Sequence, residues 1–166
     1  MTSDQKGVLA EAAVASEATK LGVVVLRPFS PVRYDLVFDT SERLLRVQCK
    51  WAIRAGDVVI VRCATSRRGR SGHIRSYYTA DEIDAIAAYC ADLEQCYLLP
   101  ITQFEERRAI QLRLAPSRNN QRVGINWAKD YEFAATLRRS GAVAQLGERQ
   151  SGTLEVTGSS PVGSTI

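Results

Sequence analysis

Histidine is nearly absent from this chain, whose 166 residues contain only His73. A single histidine excludes a zinc protease of the H-E-x-x-H type and nearly excludes a nucleophile triad built on histidine. The four cysteines form no C-x-x-C pair, which argues against a structural zinc site. We therefore predict reduced, buried thiols at Cys49, Cys63, Cys90 and Cys96, and a loop position or phosphate contact for His73.

Long apolar runs and nucleotide-binding glycine motifs are also missing. No stretch approaches the roughly 20 apolar residues of a membrane span, and the polar residues 1–6 lack the apolar core of a signal peptide. The chain contains neither a P-loop nor a G-x-G-x-x-G motif. The length and the ordinary apolar and charged fractions predict one domain with a sizeable core. The missing signal peptide and membrane span predict a cytoplasmic location.

Positive charge is concentrated in two segments. The net charge is +4, and 18 of the 22 basic residues are arginine, whose planar side chain suits bidentate phosphate contacts. A solvated basic surface is the alternative interpretation, but glycine and serine interrupt the first segment, and this favours a nucleic-acid contact. The first segment contains Arg67, Arg68, Arg70 and Arg75, and the second Arg107, Arg108, Arg113, Arg118 and Arg122.

Hydrophobic periodicity predicts an α/β fold, with a mixed β-sheet flanked by helices. Helices are expected at residues 4–21, 79–92 and 130–139, and strands at 23–26, 34–39, 43–53, 57–64, 95–100 and 109–114. Residues 40–42 suggest a tight hairpin turn.

Two of the predicted helices carry specific expectations. In the first, Val8, Ala12, Ala15 and Thr19 form a stripe of mostly small residues, suited to packing on a sheet. The second opens on a capping box, Thr79-x-x-Glu82. Its early acids, Asp81, Glu82 and Asp84, are expected to interact with the helix dipole rather than with a metal.

The constellation that suggests chemistry is an acid on one strand and a Gln-x-Lys on the next. Alternation places Gln48 and Lys50 on one face of a strand, and a tight hairpin brings Asp35 to the same level. A hard divalent cation could be held by the Asp35 carboxylate, the Gln48 amide oxygen and the backbone carbonyl of Cys49. Lys50 could orient water or neutralise phosphate, and Glu11 on the first helix could complete the metal shell. The alternative for Asp35 is an acid at a strand edge, and for Gln48 and Lys50 it is an exposed polar face of the strand.

Four segments resemble a bacterial endonuclease family within the PD-(D/E)XK nuclease superfamily. They are residues 33–37 (RYDLV), 44–50 (LLRVQCK), 78–84 (YTADEID), and 89–90 with 96–101 (YC and CYLLPI). The family is one that includes a group I intron homing endonuclease and resembles archaeal Holliday junction resolvases in fold. The resemblance covers roughly residues 5–139.

That resemblance implies a restriction-endonuclease-like fold with Mg²⁺ as the cofactor. Carried over by position, the active-site set is Glu11, Asp35, Gln48 and Lys50. Two departures from the superfamily pattern stand out. Pro31 is not adjacent to Asp35, and Gln48 replaces the usual acid, which removes one charge from the metal site. Intron-encoded members are similar in carrying that glutamine.

Together these observations predict a metal-dependent endonuclease that hydrolyses double-stranded DNA, with a homing role as one possibility. Arg67, Arg68, Arg70 and Arg75 are expected to contact the DNA backbone. Because cutting a duplex takes two active sites, a homodimer or homotetramer is expected. The alternatives are a Holliday junction resolvase-like nuclease, a catalytically inactive DNA-binding module and, least favoured, an RNA-processing protein.

The last 26 residues differ in kind from residues 1–140, which are expected to form the endonuclease domain. Residues 141–166 are rich in glycine, serine and threonine, which is typical of a disordered tail. Residues 143–149 resemble a translated D-arm of a tRNA gene, and residues 158–161 a translated T-arm. We hypothesise that the reading frame overlaps a tRNA gene, which the nucleotide sequence would test.

Overall fold

A computed structural model describes residues 1–69, 72–116 and 123–140, with residues 65–69 and 72–75 described by their backbone alone. The main elements, in chain order, are α1 (Ser3–Lys20), β1 (Val24–Leu26), β2 (Leu36–Asp39), β3 (Leu44–Ala55), β4 (Val58–Arg62), β5 (Thr65–Gly69), β6 (Gly72–Ser76), β7 (Ala85–Cys90), β8 (Gln95–Pro100), β9 (Ala109–Arg113), β10 (Asn126–Trp127) and α2 (Phe133–Arg139). Short 3₁₀ turns lie at Ala91–Leu93, Ile101–Gln103 and Ala128–Tyr131.

The described residues form a mixed eight-stranded sheet and a separate hairpin of β5 and β6. Strands β1 to β4 pair antiparallel in chain order, whereas β7 pairs parallel with β3 and antiparallel with β8. This sheet with helix α1 packed on it confirms the predicted α/β fold of the restriction-endonuclease type.

The long strand β3 organises the sheet because it has different partners on its two edges. Val47 pairs with both β2 and β7, and Ala52 pairs with both β4 and β7. Strands β2 and β4 therefore share one edge of β3, and β7 lies along the other. Between β2 and β4, residues 48–51 face a gap in the sheet, called the fork below.

Two groups of buried side chains pack on the sheet. Leu45, Val47 and Cys49 of β3 belong to the group covered by α1 and α2, whereas Ala52 belongs to the other group. Alternation thus places Gln48 and Lys50 on the face opposite Leu45, Val47 and Cys49, as predicted. All four cysteines are buried free thiols, which confirms that prediction.

The predicted packing stripe of the first helix was wrong. The buried residues of α1 are Ala10, Val14 and Ala18, whereas Val8 and Thr19 are exposed. Alanine residues occur on every face of this helix, so its sequence does not indicate which face is buried. Glu11 lies at the margin of the true stripe and is half-buried.

The predicted second helix was also wrong, because most of it is strand β7. Five of the six residues of β7 are buried, and the strand lies between β3 and β8. A short apolar run buried on both faces lacks the alternation that distinguishes a strand from a helix. The capping-box residues form only a turn, in which the Glu82 N–H donates to the Thr79 carbonyl at 3.1 Å.

Smaller corrections concern the basic loop and the last helix. The segment expected to be a basic loop forms the two strands of the β5–β6 hairpin. The closing helix begins at Phe133, after the 3₁₀ turn at Ala128–Tyr131.

Residues 141–166, with the predicted tail, lie outside the described residues. Within the part of the chain that is described, no helix combines the length and apolarity that crossing a membrane requires.

Asp84 binds Arg46 rather than a helix dipole. Its carboxylate accepts hydrogen bonds from Arg46 N (2.7 Å), Nε (3.1 Å) and Nη2 (3.2 Å). Burial would raise the pKa of Asp84, but the hydrogen bonds from Arg46 outweigh it and hold the pKa below its ordinary value. The contact ties the start of β7 to β3 and so supports the strand that carries Gln48 and Lys50.

We expect Asp84→Asn to lower the free energy of unfolding at pH 7 by about 1–2 kcal/mol, since it weakens charge-assisted hydrogen bonds at a partly exposed site. The folded-state pKa lies below the unfolded value of about 3.9. The stabilisation is therefore complete above that pH and is lost as the pH falls through the folded-state pKa. Urea unfolding at pH 7 and near pH 2 should show the two proteins converging in acid. Exposed Asp57→Asn is the control, and an equal loss there would contradict the assignment.

Candidate active site

Asp35 lies at the fork, immediately before β2. Its backbone N–H donates to the Val47 carbonyl at 3.0 Å and continues the β2–β3 pairing by one residue. Its Oδ2 atom accepts hydrogen bonds from the Cys49 N–H at 2.8 Å and from Gln48 Nε2. The carboxylate thus takes the place of the missing neighbouring strand beside Cys49.

The fork also explains why the Cys49 carbonyl is available to a ligand. In an extended strand the N–H and C=O of one residue point to the same edge, and the Cys49 N–H points to Asp35. Its carbonyl therefore faces the gap between β2 and β4, where Gln48 Nε2 approaches it at 3.3 Å. If a neighbouring strand filled the gap between β2 and β4, it would pair with the Cys49 carbonyl and leave it unavailable to a ligand.

Lys50 is directed at Tyr78, a residue not singled out for the site from the sequence. The Lys50 Nζ donates to the Tyr78 hydroxyl at 2.9 Å and lies 5.0 Å from the ring centroid. Burial lowers the pKa of Lys50, and the charge of Asp35 opposes that shift. Tyr78 is itself buried, which raises its pKa to about 12 and keeps its hydroxyl neutral. The ammonium is therefore held by a neutral acceptor and has other N–H groups to offer.

Glu11 reaches the same region from α1. Its Oε2 accepts from Arg27 Nη2 at 2.5 Å, and the Arg27 side chain is largely exposed. Burial and the charge of Asp35 raise the pKa of Glu11, and Arg27 opposes both effects. The structure thus brings Glu11 within electrostatic range of Asp35, and it adds a cation that sequence reasoning missed.

Burial dominates the electrostatics of Asp35. Burial is the largest influence and raises its pKa, whereas the Cys49 N–H, Lys50, Arg27 and Gln48 all lower it, leaving the pKa above its ordinary value. Asp35 and Glu11 are thus two half-buried acids with raised pKa values within electrostatic range of each other, and a cation would stabilise such a region.

The oxygen atoms at the fork fit a hard divalent cation. They are the Asp35 carboxylate, the Cys49 carbonyl and the Gln48 amide oxygen, with the Glu11 carboxylate within electrostatic range. Oxygen donors of this type are the ones that Mg²⁺ prefers. Among the described residues no three His, Cys, Asp or Glu side chains gather, so the donor set depends on two carboxylates and neutral oxygens. The Gln48 amide nitrogen donates to Asp35 in this arrangement, and metal binding would use the oxygen at the same end of that side chain.

A second cation, Arg33, also contacts the ring of Tyr78. Its guanidinium carbon is 4.5 Å from the ring centroid, its Nε donates to Glu82 at 3.0 Å, and its Nη2 donates to the Tyr77 carbonyl at 2.6 Å. Glu82, predicted to lie at a helix start, is therefore the partner of Arg33. The proximity of Arg33 to Asp35 in the chain was the signal available in the sequence.

The predicted DNA contacts lie away from these residues in the chain, on the β5–β6 hairpin. Arg67 and Arg68 are on β5 and Arg75 is on β6. Their side chains, and all of Arg70, lie outside the described part of the structure, so their contact with DNA stays a prediction. Arg118 and Arg122 of the second basic segment also lie outside the described residues.

The family of the chain follows from comparison with known proteins. The model of the PD-(D/E)XK endonuclease family matches residues 1–134. The chain belongs to the PD-(D/E)XK endonuclease family. A search of curated proteins found no match. A solved structure described as a bacterial homing endonuclease, I-Ssp6803I, is similar at a TM-score of 0.71 and 29% identity, over 87% of this chain and 98% of that one.

Family membership and structural likeness together make this PD-(D/E)XK protein a nuclease. The fork carries the carboxylate and the lysine of such a site in the expected order, with Gln48 between them. The fork, at the edge of β3 that β2 and β4 leave open, is therefore the candidate location for nuclease chemistry in this fold.

Proposed function

We propose that this PD-(D/E)XK protein is a Mg²⁺-dependent endonuclease that hydrolyses double-stranded DNA at the fork. The observation that carries the proposal is that Asp35, the Cys49 carbonyl, Gln48 and Lys50 converge there, with Glu11 beside them. The likeness to a homing endonuclease supports DNA as the substrate and favours a homing role.

The metal would be held by Asp35, Gln48, Glu11 and the carbonyl of Cys49. When bound, it supplies Lewis-acid stabilisation of the charge that develops on the phosphate and its leaving oxygen. The buried surroundings of Asp35 and Lys50 strengthen these electrostatic interactions because local screening by water is weak.

Lys50 supplies a positive charge next to these metal-binding oxygens. Tyr78 accepts one hydrogen bond of the Lys50 ammonium, which leaves two N–H groups to orient the attacking water or to bind a phosphate oxygen. Such a preorganised donor stabilises charge in the transition state without further reorganisation. Arg27 is exposed next to Glu11 and can neutralise a neighbouring phosphate.

Cleavage of both strands requires two such sites. We propose that the protein acts as a homodimer or homotetramer, in which symmetry presents one site to each strand. Arg67, Arg68, Arg70 and Arg75 of the basic hairpin would contact the DNA backbone and extend the interface beyond the fork.

The test is cleavage of supercoiled plasmid, linear duplex, a four-way junction and DNA of the flanking tRNA locus, each in Mg²⁺ or in EDTA. We expect duplex substrates to be cut in Mg²⁺ and to stay intact in EDTA. Cleavage that persists in EDTA would overturn the metal mechanism. A junction cut far faster than duplex would instead identify a branched-DNA resolvase.

Gln48→Glu offers a direct measure of the metal site. Because the substitution adds a charge to the donor set, we expect half-maximal cleavage at about tenfold less Mg²⁺. In EDTA the new carboxylate would face Asp35, so the thermal midpoint should fall. Gln48→Leu, which lacks the oxygen, should require more Mg²⁺ than wild type. An identical Mg²⁺ dependence in all three proteins would remove Gln48 from the metal site.

A further inference from the structure

The loop between β1 and β2 exposes an aromatic side chain that the fold does not use. Residues 27–33 read Arg-Pro-Phe-Ser-Pro-Val-Arg, and Phe29 is fully exposed. The other three phenylalanines, Phe38, Phe104 and Phe133, are all buried. Leaving a phenylalanine in water forgoes about 1.5–3 kcal/mol of burial, so this position calls for an explanation outside the folded chain.

Both ends of this loop are attached to the active site. Arg27 donates to Glu11 at 2.5 Å. At the other end, Arg33 stacks on the ring of Tyr78, whose hydroxyl accepts from Lys50. The loop is therefore anchored at both ends to residues of the proposed site, and we expect a duplex that places a phosphate at Lys50 to lie near its tip.

The loop is also stiff and its charge suits DNA. Pro28 and Pro31 fix two backbone φ angles, which lowers the entropy lost on ordering the loop against a partner. An arginine at each end of the loop supplies positive charge that can pair with backbone phosphates. A protein partner covering Phe29 would instead have to cover the charged residues Glu11 and Glu82, on which the loop ends rest.

We propose that Phe29 is a wedge that inserts between base pairs beside the scissile phosphate, with Arg27 and Arg33 on the flanking phosphates. The proposal deepens the proposed function and rests on duplex DNA entering the fork. Apolar wedges of this kind unstack one step and kink the duplex, and the added protein–DNA contact offsets the unstacking cost. The kink would expose the phosphate to Lys50.

The experiment measures binding of a fluorescent 30-base-pair duplex of random sequence in EDTA, where no metal-dependent cleavage occurs. We expect Phe29→Ala to weaken binding about tenfold with an unchanged salt slope, because no phosphate contact is lost. Phe29→Leu should restore most of the affinity. Arg27→Gln and Arg33→Gln should each reduce the slope of log K against log salt by about 0.9. Val24→Ala, an exposed apolar residue on β1, is the matched control.

A second readout reports the wedge itself. In Phe29→Trp, insertion should quench the added tryptophan emission on addition of duplex, relative to wild type. Unchanged affinity in Phe29→Ala, or no quenching in Phe29→Trp, would overturn the wedge. A change of oligomeric mass in Phe29→Ala would assign the tip to a subunit contact instead. Plasmid cleavage by the wild-type protein is scored separately. If the wild type cleaves and Phe29→Ala binds duplex as tightly as the wild type, only the wedge is refuted. If duplex quenches Phe29→Trp but the wild type does not cleave, only the proposed hydrolysis is refuted.

Discussion

Asp35→Asn is expected to lower duplex cleavage by at least about 10³-fold while leaving the fold intact. The substitution keeps the shape of the side chain but removes the charge nearest the proposed metal, and such electrostatic groups supply much of the rate. An amide oxygen can still accept from the Cys49 N–H, so the turn into β2 should persist. Single-turnover plasmid cleavage with excess enzyme measures the effect.

The same variant should be as stable as wild type or more so. Burial raises the folded-state pKa of Asp35 above its ordinary value, so its charged form opposes folding at neutral pH. Removing that charge relieves the penalty, and the thermal midpoint in EDTA should not fall. Loss of activity with gain of stability is typical of a strained functional site.

Asp39→Asn is the control, because Asp39 ends the same strand and its carboxylate caps the turn at the Ser41 N–H, at 3.0 Å. This variant should cleave like wild type. If Asp35→Asn cleaved within tenfold of wild type, Asp35 would not be the metal ligand proposed.

Lys50→Met is expected to lower the cleavage rate by about 10²–10³-fold, the usual effect of removing one charge-stabilising donor. Methionine fills a similar volume without the ammonium, and burial lowers the pKa of Lys50, so the charged form again opposes folding. We therefore expect the free energy of unfolding to hold or to rise. DNA affinity should change by less than threefold, because Lys50 acts on one phosphate among many.

Lys20→Met provides the comparison, since Lys20 is exposed and pairs only with Glu17 of its own helix among the contacts described. Cleavage rates and binding constants measured on the same duplex separate the two roles of a cation. A Lys50→Met protein that lost affinity and rate by equal factors would show that Lys50 anchors DNA and takes no part in the chemical step.

Strand β3 is an element whose structure the local sequence pattern predicts correctly. Alternation of Leu45, Val47 and Cys49 with Gln48 and Lys50 was predicted and lies as expected on opposite faces. The hairpin turn before β3 is present, with Ser41 in the left-handed region at φ 68°. Because hairpin register depends on short loops, the pairing of Asp35 with this strand could be predicted as well.

Strand β7 shows where local pattern fails. Its residues carry a capping box upstream and alanine-rich spacing, and both favour a helix when read alone. Parallel pairing with β3 and burial from both faces made the segment a strand. Such pairing joins residues far apart in sequence, so no window along the chain reveals it.

Composition and periodicity determined the α/β class, the buried free cysteines and the Asp35, Gln48 and Lys50 constellation, because these depend on residue type, on alternation along one strand and on one short hairpin. Only the tertiary structure shows that β2 and β4 share one edge of β3. This arrangement creates the fork, in which the Cys49 carbonyl is not paired by a neighbouring strand. It also brought Tyr78 to Lys50 and Arg27 to Glu11. Those contacts depend on how distant segments pack, a property that spacing along the chain does not encode.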